Sequence, residues 1–376
     1  MSVRVALFGT KFMGKAHSQA YRNVNMYFPD APQVDMAVLC GRNPKETKQA
    51  AKAFGWAESS TDWKAVMARE DIDLVDISTP GHMHAEMALE AARRGKMIIC
   101  EKPLANTLPD ARRMLKAAEK AKIKHFLMHN YRRVPAVALA KRMVSDGRIG
   151  QIRHFRACYL QEWALSPDLH LVWRFDKKAA GSGALGDLGA HIIDLARHLC
   201  GEIAELSAAM ETFIKKRSVE PGSRKKADVT VDDAAVMCVR FENGALGTLE
   251  ASRFAPGRKN HNTFEINGSK GSLVFDLENL NNLKFYDTTD AADALGFHEI
   301  IACTKGAHPY ADNWWFDGHI IGYEHTFTHS VYDFLMAAKR GRNAQPNFFD
   351  GVRNQCVLDA AEKAAKSRRW VKVAQK

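Results

Sequence analysis

Short apolar runs alternate with amphipathic segments through the first 130 residues, and this alternation constrains the fold more than any other feature of the chain. The runs have the composition of buried β-strands, and the segments between them, such as His84–Gly95 and Leu108–Ala121, have the apolar spacing of helices. Strands joined by crossover helices form a parallel, doubly wound sheet. We therefore predict an α/β domain over residues 1–130, with strands at Val3–Phe8, Val34–Cys40, Ile72–Ser78, Lys96–Cys100 and Lys124–Met128.

The pattern changes after a helical stretch at about Pro135–Asp146. Longer alternating runs follow at Gln151–Glu162, Asp232–Glu242, Ala245–Arg253, Asn262–Asn267 and Ser272–Asp276. Glycines at 244, 268 and 271 between these runs predict hairpin turns, because glycine readily adopts a positive φ. We expect an α+β domain over residues 131–376 with a large, mostly antiparallel, open-faced sheet. Its predicted helices are Asp187–Leu199, Gly322–Arg340 and Gly351–Ser367, the last of them packing back on the first domain.

Composition excludes several classes of protein. The 376 residues exceed what one hydrophobic core usually supports, so two domains are expected. The net charge is +11, but the basic residues are scattered without a recognised motif, so no nucleic-acid partner is predicted. We also expect no membrane partner, because no apolar stretch is long enough for a signal peptide or a spanning helix. Seven dispersed cysteines without a Cys-x-x-Cys pair favour reduced thiols and a cytoplasmic location.

The turn after the first strand carries a dinucleotide-binding pattern. Gly9-Thr10-Lys11-Phe12-Met13-Gly14 matches Gly-x-Gly-x-x-Gly except that Lys11 replaces the middle glycine. Glycine allows close approach to a pyrophosphate at a helix N-terminus, and Lys11 would instead add a charge there. The alternative is an ordinary strand-to-helix turn. We interpret Gly9, Lys11, Phe12, Met13 and Gly14 as cofactor-binding.

The second strand ends at Gly41-Arg42, without the acidic residue that often holds the adenosine ribose of NAD. Arg42 would suit a 2′-phosphate or stack on adenine, or it simply begins the next helix in solvent. Gly41 and Arg42 are therefore candidates for the adenosine end of the cofactor. The choice between NAD and NADP stays open.

Two more groups of polar residues follow predicted strands at the carboxyl edge of the sheet, where open α/β sheets bind ligands. We interpret these residues as neighbours of the nicotinamide: Ser78, Thr79, Pro80, His82, His84, Glu101 and Lys102. Lys102 is followed by Pro103, which restricts its backbone to extended conformations, so its ammonium group can be aimed. The alternative for Lys102 is a surface ion pair with Glu101.

In the second half, a glycine-rich segment leads into a helix that carries Asp187, His191 and Asp194. Their spacing places a carboxylate and an imidazole on one helix face, where both can act on one ligand. The alternative is a helix capped by Asp187 with a structural histidine.

Together, the Gly9–Gly14 turn, Glu101-Lys102-Pro103 and Gly181–His191 resemble the glucose-fructose oxidoreductase, inositol dehydrogenase and MocA family over essentially the whole chain. The resemblance implies a Rossmann domain followed by an open-faced sheet domain. It places the nicotinamide between Lys102 and the helix with Asp187 and His191. It also implies a homo-oligomer, either a dimer or a tetramer, that oxidises a secondary hydroxyl of a pyranose sugar, at C3, or of a cyclitol.

Oxidation of an alcohol requires a base near neutral pKa, so we assign His191 as general base. Lys102 would stabilise the developing alkoxide, and Asp187 would hold a neighbouring hydroxyl or orient His191. Further substrate candidates are Tyr131, Arg132, Gln161, Trp163 and His308, and Asn130, Trp173 and Arg174 are candidates for cofactor as well as sugar. Trp163 and Trp173 are equally compatible with the core, and Arg132 and Arg133 with salt bridges between domains.

Three alternatives to a sugar dehydrogenase remain at this point: an inositol 2-dehydrogenase, a redox-neutral enzyme that cleaves or epimerises glycosides with retained NAD, and a non-catalytic cofactor-binding regulator. A metal is not expected. Glu324, His325 and His329 share a predicted helix, but a zinc site normally has three or four matched ligands.

Overall fold

The computed structural model describes residues 2–374 and divides into two compact units. Among the described residues, the first unit comprises 2–133 and 322–352, and the second comprises 134–321 and 353–374. Within residues 2–374, no helix combines the length and the apolar character needed to cross a lipid bilayer.

The first unit is built on a six-stranded sheet of order β3-β2-β1-β4-β5-β6 in which every pairing is parallel. Its elements up to residue 133 are β1 Ser2–Phe8, α1 Phe12–Tyr27, β2 Gln33–Cys40, α2 Pro44–Phe54, β3 Glu58–Ser60, α3 Trp63–Ala68, β4 Leu74–Ile77, α4 His84–Arg93, β5 Met97–Glu101, α5 Leu108–Lys120 and β6 His125–Met128. This topology confirms the predicted doubly wound sheet. The sequence analysis missed only the short edge strand β3, which is mostly exposed and lacks an apolar run.

Local sequence explains where the connecting helices begin. Asn43 and Thr107 accept hydrogen bonds from the backbone N–H groups of Glu46 and Asp110, and a proline follows each cap within the first turn. Such caps satisfy donors that have no partner within the helix. The strands between them are buried on both faces, which is the reason why they are apolar runs rather than alternating ones.

The second unit contains a nine-stranded sheet of order β16-β15-β14-β13-β7-β12-β11-β8-β17. Its pairings are antiparallel except for the parallel pair β7 and β12. The elements from residue 134 to 321 are α6 Pro135–Ser145, β7 Ile152–Leu160, α7 Lys177–Ala180, α8 Ala190–Cys200, β8 Ile203–Glu211, β9 Lys216–Ser218, β10 Lys226–Asp228, β11 Ala234–Phe241, β12 Leu246–Ser252, β13 His261–Gly268, β14 Gly271–Asp276, β15 Asn282–Asp287 and β16 His298–Ile301. The chain ends with α9 Tyr323–Lys339, α10 Phe348–Ser367 and β17 Val371–Lys372.

The predicted hairpins of this sheet are confirmed. Strands β11 and β12 pair around Gly244, which has a φ of +87°, and β13 pairs with β14 across residues 269 and 270. Strands β8, β15, β16 and β17 of this sheet were missed. Strand β8 is rich in alanine and weakly alternating, so its pairing with β11 rather than its own composition makes it a strand.

Helix α9 belongs to the first unit, where it packs against α1. The Phe327 ring lies 5.4 Å from the His17 ring, and Tyr323 stacks on Phe12 at 6.1 Å. The Asn130 amide donates a hydrogen bond to the Thr326 hydroxyl over 2.9 Å. These contacts extend the core of the unit beyond the contiguous first 130 residues.

Candidate active site

The turn between β1 and α1 has the shape that a dinucleotide requires. Gly9 has a φ of +135°, and a Cβ atom at Gly14 would lie 2.1 Å from the Gly9 carbonyl oxygen, so neither position admits a side chain. Within the described part of the chain, no side chain caps the N-terminus of α1, and its first turn contains no acidic residue. An uncapped helix N-terminus beside a glycine turn attracts phosphate, so the residues present fit a dinucleotide.

Lys11 is compatible with this turn because its φ of −95° is ordinary for a residue with a side chain. The ammonium group is exposed and pairs with the carboxylate of Glu46, in the first turn of α2. The hydrogen bond from Lys11, the charge of Lys11 and, to a lesser extent, the charge of Arg42 lower the pKa of the Glu46 carboxyl. No acid ends β2 in the sequence, whereas the fold brings Glu46, from the following helix, into contact with Lys11 in the turn after β1.

A buried network of charged residues underlies the carboxyl ends of β4 and β5. The His17 ring lies between two carboxylates, with Nδ1 2.8 Å from Asp76 and Nε2 2.9 Å from Glu101. Tyr21 and Ser78 donate further hydrogen bonds to Asp76. Burial opposes a charge on the imidazole, but the charges and hydrogen bonds of both carboxylates raise the pKa of His17 to about 10.

This network reaches the predicted catalytic lysine through its backbone. The second carboxylate oxygen of Glu101 accepts a hydrogen bond from the Lys102 N–H group over 3.0 Å. Glu101, a predicted cofactor ligand, is thus buried and engaged by His17. The sequence analysis overlooked His17 and Asp76, although an aspartate inside the buried strand Leu74–Ile77 is costly without partners and was a usable signal.

The two predicted histidines that follow β4 have different surroundings. His82 is exposed and lines a surface groove with Trp63 and Lys64, on α3. His84 is buried, and its two ring nitrogens face the carbonyl oxygens of Thr79, at 2.8 Å, and Pro103, at 3.1 Å. Because both nitrogens are engaged by the protein, His84 is better described as a link between the loops than as a direct cofactor ligand.

In the second unit, the predicted helix Asp187–Leu199 is divided into a π-helical turn, Leu185–Gly189, and the α-helix α8. The carboxylate of Asp232, which is buried, accepts hydrogen bonds from the N–H groups of Gly183 and Leu185, both over 2.7 Å. A Cβ atom at Gly183 would lie 1.7 Å from the Asp232 carbonyl oxygen. The glycine-rich segment therefore permits the close approach through which Asp232 caps this turn.

The π-helical turn carries Asp187, whose carboxylate binds a buried arginine. Arg253 donates a hydrogen bond to Asp187 over 3.0 Å, and its guanidinium lies over the Trp163 ring at 5.0 Å. Arg174 lies 4.0 Å from the same carboxylate and stacks over Trp173 at 4.4 Å. The two tryptophans are 37% and 40% exposed, which rules out the core role considered above for them.

One turn further along, the His191 ring lies in edge-to-face contact with Tyr159 at 5.7 Å. Tyr159 and Gln161 both donate hydrogen bonds to the side-chain oxygen of Asn260, over 2.7 and 2.9 Å. The second unit therefore contains a carboxylate, an imidazole, amides and aromatic faces, which are the groups that bind sugars. The sequence analysis missed Arg253 and Asn260.

Other predicted site residues are held inside the protein. Arg132 is buried and forms a salt bridge with Asp350 at 3.1 Å, and Arg133 pairs with Asp333 at 2.6 Å. Both bridges lie within the first unit. Because a buried, paired guanidinium cannot reach a ligand without breaking its ion pair, we leave Arg132 out of the proposed substrate site.

Three further predicted residues are also buried. Asn130 is engaged with Thr326, Tyr131 lies in edge-to-face contact with Tyr323, and His308 lies in edge-to-face contact with Tyr310 in the second unit.

The histidines considered as zinc ligands have protein partners. His325 Nδ1 accepts a hydrogen bond from the Gly322 N–H group, and His329 Nδ1 lies 3.1 Å from the Arg133 carbonyl oxygen. A different group, His261, Asp276 and Glu278, brings possible metal ligands together, and the sequence analysis did not find it. Arg258 lies 3.5 Å from His261, and its charge opposes a cation there.

Comparisons with known proteins place these features in a family. Residues 3–129 match an oxidoreductase family with an NAD-binding Rossmann fold, and residues 137–274 match the GFO/IDH/MocA C-terminal domain. The levoglucosan dehydrogenase of Pseudarthrobacter phenanthrenivorans is 42% identical over 387 residues, covering 100% of this chain and 99% of that protein. The inositol 2-dehydrogenase of Rhizobium meliloti is 25% identical over 375 residues and 100% of both chains. A solved structure of levoglucosan dehydrogenase in complex with NADH and levoglucosan is similar with a TM-score of 0.96, at 42% identity and with 100% of both chains covered.

Proposed function

The chain belongs to the glucose-fructose oxidoreductase, inositol dehydrogenase and MocA family, an oxidoreductase family with an NAD-binding Rossmann domain, and from this premise we propose that it oxidises a secondary hydroxyl of a pyranose sugar. The proposed substrate class is levoglucosan and similar anhydro sugars, and the proposed position is C3. The full-length similarity to levoglucosan dehydrogenase supports this substrate class over other sugars.

The observation that carries the proposal is the grouping of Asp187, Arg253 and Trp163 beside the helix that carries His191. Arg253 keeps a carboxylate in place at the surface, where it can accept hydrogen bonds from two neighbouring hydroxyls. The half-exposed indole supplies an apolar face for the ring. A cofactor-sensing regulator has no need of such a combination.

For the cofactor, we propose NAD rather than NADP. Gly9, Gly14 and the uncapped N-terminus of α1 would hold the pyrophosphate, and Gly41 and Arg42 would lie towards the adenosine. A Cβ atom at Gly41 would lie 2.4 Å from the Thr47 hydroxyl, so this turn also requires glycine. Glu46, close to Arg42, adds a negative charge that disfavours a 2′-phosphate. When bound, the oxidised nicotinamide supplies the hydride acceptor.

In the proposed mechanism, Lys102 donates a hydrogen bond from its ammonium group to the substrate oxygen and stabilises the negative charge that develops there. His191 accepts the hydroxyl proton at a ring nitrogen, because an imidazole titrates near neutral pH. Asp187 accepts a hydrogen bond from the adjacent hydroxyl and so orients the sugar. Trp163, Gln161 and His308 complete the proposed substrate contacts, with Trp173 and Arg174 shared with the cofactor.

Three further assignments are part of the proposal. Residues 1–130 bind the cofactor and residues 131–376 bind substrate and form the oligomer. The protein acts in the cytoplasm as a homo-oligomer, either a dimer or a tetramer.

The experiment that tests the function is a substrate and cofactor panel read by the near-ultraviolet absorbance of reduced nicotinamide. Levoglucosan, myo-inositol, 1,5-anhydroglucitol and methyl glucosides are each assayed with NAD⁺ and with NADP⁺. We expect the highest kcat/KM with levoglucosan and NAD⁺. A higher value with myo-inositol would assign the protein to the inositol 2-dehydrogenases. No reduction with any sugar, together with cofactor that copurifies with the protein, would favour the redox-neutral enzyme.

A further inference from the structure

Two loops at the carboxyl edge of the first unit's sheet are joined by one buried side chain. The loop after β4 contains Thr79 and Pro80, and the loop after β5 contains Lys102 and Pro103. His84, the first residue of α4, lies between them and is 1% exposed. Its Nε2 atom is 2.8 Å from the Thr79 carbonyl oxygen, and its Nδ1 atom is 3.1 Å from the Pro103 carbonyl oxygen.

A second contact shows that the two loops are packed closely. Gly81 lies in the first loop, and a Cβ atom there would be 2.3 Å from the side-chain oxygen of Asn106, in the second loop. Any larger residue at 81 would displace the Asn106 side chain from this contact between the loops. The close approach and the shared imidazole are independent observations, and both indicate that the relative placement of these loops is specified by the sequence.

The backbone of Lys102 is held by side chains on both sides. The Lys102 N–H group is bound by the Glu101 carboxylate, and the carbonyl group of the following residue, Pro103, faces His84. Burial lowers the pKa of His84, while the two carbonyl oxygens and the charge of Glu101 oppose this effect. With its pKa lowered, the ring is neutral at neutral pH and donates one hydrogen bond at a time, from Nε2 to Thr79 in one tautomer and from Nδ1 to Pro103 in the other.

We propose that His84 is a positioning residue whose two ring nitrogens serve different tasks: Nε2 holds the Thr79 loop for cofactor binding, and Nδ1 holds the Pro103 loop that places Lys102. This proposal rests on the proposed function. Neither task requires the imidazole to touch cofactor or substrate.

The chain can be changed at this residue so that each task is tested alone. In His84→Asn, the side-chain amide nitrogen replaces Nδ1 and keeps the hydrogen bond to Pro103. In His84→Gln, the amide nitrogen replaces Nε2 and keeps the hydrogen bond to Thr79. His84→Leu fills the space and removes both. The measurements are the dissociation constant of NADH by fluorescence titration, kcat and KM for the sugar, and the melting temperature of each full-length variant.

We expect opposite effects in the two amide variants. His84→Asn should weaken NADH binding about tenfold and keep kcat within about threefold of wild type, because a lost hydrogen bond to a buried carbonyl has an effect of this order. His84→Gln should keep the NADH dissociation constant and lower kcat about tenfold. His84→Leu should show both losses.

Several results would overturn the proposal. His84 would be only a packing residue if the Asn and Gln variants lost NADH affinity and kcat equally and had equally lowered melting temperatures. Failure of both variants to fold would lead to the same conclusion. Because NADH binding is measured without turnover, failure of the proposed function is recognised separately: wild-type protein would then bind NADH but oxidise no sugar.

Discussion

The buried His17 predicts a specific dependence of stability on pH. An unperturbed histidine has a pKa of 6.5, and burial opposes the charge, but Asp76 and Glu101 raise the pKa of His17 to about 10 in the folded protein. Between pH 6.5 and about 10, the folded state therefore holds one proton more at this ring than the unfolded state. The stabilisation is fully present below pH 6.5 and is lost as the pH rises through about 10.

The structure sets the size of the effect. The free energy of unfolding changes by about 1.4 kcal/mol for each pH unit when one proton is involved. Over the interval from 6.5 to about 10, this amounts to at most about 5 kcal/mol, a large share of the stability of a typical domain.

The assay is urea-induced unfolding of the wild type and of His17→Gln at several pH values from 6.5 to 10. The glutamine keeps polar atoms near both carboxylates but carries no charge. We expect the wild type to be more stable at pH 6.5 and the difference between the two proteins to shrink as the pH rises. A difference that stays constant over this range would refute the conclusion that the His17 ring is protonated.

His125 provides a matched control. It is also buried, but burial and, to a lesser extent, the charge of Lys124 lower its pKa to about 4. Its Nδ1 atom accepts a hydrogen bond from the Phe348 N–H group, which requires an unprotonated nitrogen. The stabilisation from this neutral ring is present above pH 6.5 and lost as the pH falls towards 4. The difference between wild type and His125→Gln should therefore change in acid and stay constant from pH 6.5 to 10.

Three other predictions concern the site. Arg253→Met should lower kcat/KM for the sugar at least tenfold, since a hydrogen bond to a charged group contributes roughly 1.5–3 kcal/mol. The control Arg240→Met, which removes an exposed pair with Glu205, should leave kcat/KM unchanged. Equal values of kcat/KM for both variants would show that Arg253 does not support the substrate site. Gly14→Ala should abolish NADH binding in a fluorescence titration and lower the melting temperature, because its Cβ atom would lie 2.1 Å from a carbonyl oxygen. The control Gly296→Ala, whose Cβ atom would have no neighbour within 4 Å, should do neither. Normal NADH binding by Gly14→Ala would contradict the assignment of this turn to the pyrophosphate. Glu46→Gln should lower the ratio of kcat/KM for NAD⁺ to that for NADP⁺, and an unchanged ratio would mean that Glu46 does not select the cofactor.

Local patterns in the sequence were sufficient for the Rossmann sheet and the hairpins, because each strand and turn there is specified by its own residues. The parts that were missed depend on residues far apart in the chain. Strand β8 is defined by its partner β11, and the π-helical turn around Asp187 is capped by Asp232, 45 positions further along the chain. No local pattern predicts such contacts.

The candidate site likewise combines residues that the local sequence identifies with residues that only the fold brings to them. Lys102, Asp187 and His191 could be proposed from their neighbours in the sequence, but the residues that position them come from other elements. Arg253 follows β12 and binds Asp187, and His17 lies on α1 and binds Glu101. Arg132 is the opposite case: its place beside Tyr131 suggested a ligand contact, whereas the fold pairs it with Asp350, more than two hundred residues away.

The most direct test of the central claim is a measurement of hydride transfer from the sugar. Levoglucosan that carries deuterium at C3 is incubated with the enzyme and NAD⁺, and the reduced cofactor is analysed by mass spectrometry. The account predicts one deuterium in the reduced nicotinamide, a ketone at C3 of the sugar, and a loss of about 100-fold or more in this transfer for Lys102→Ala. Reduced cofactor without deuterium, or deuterium that returns to the sugar without net reduction of NAD⁺, would contradict it.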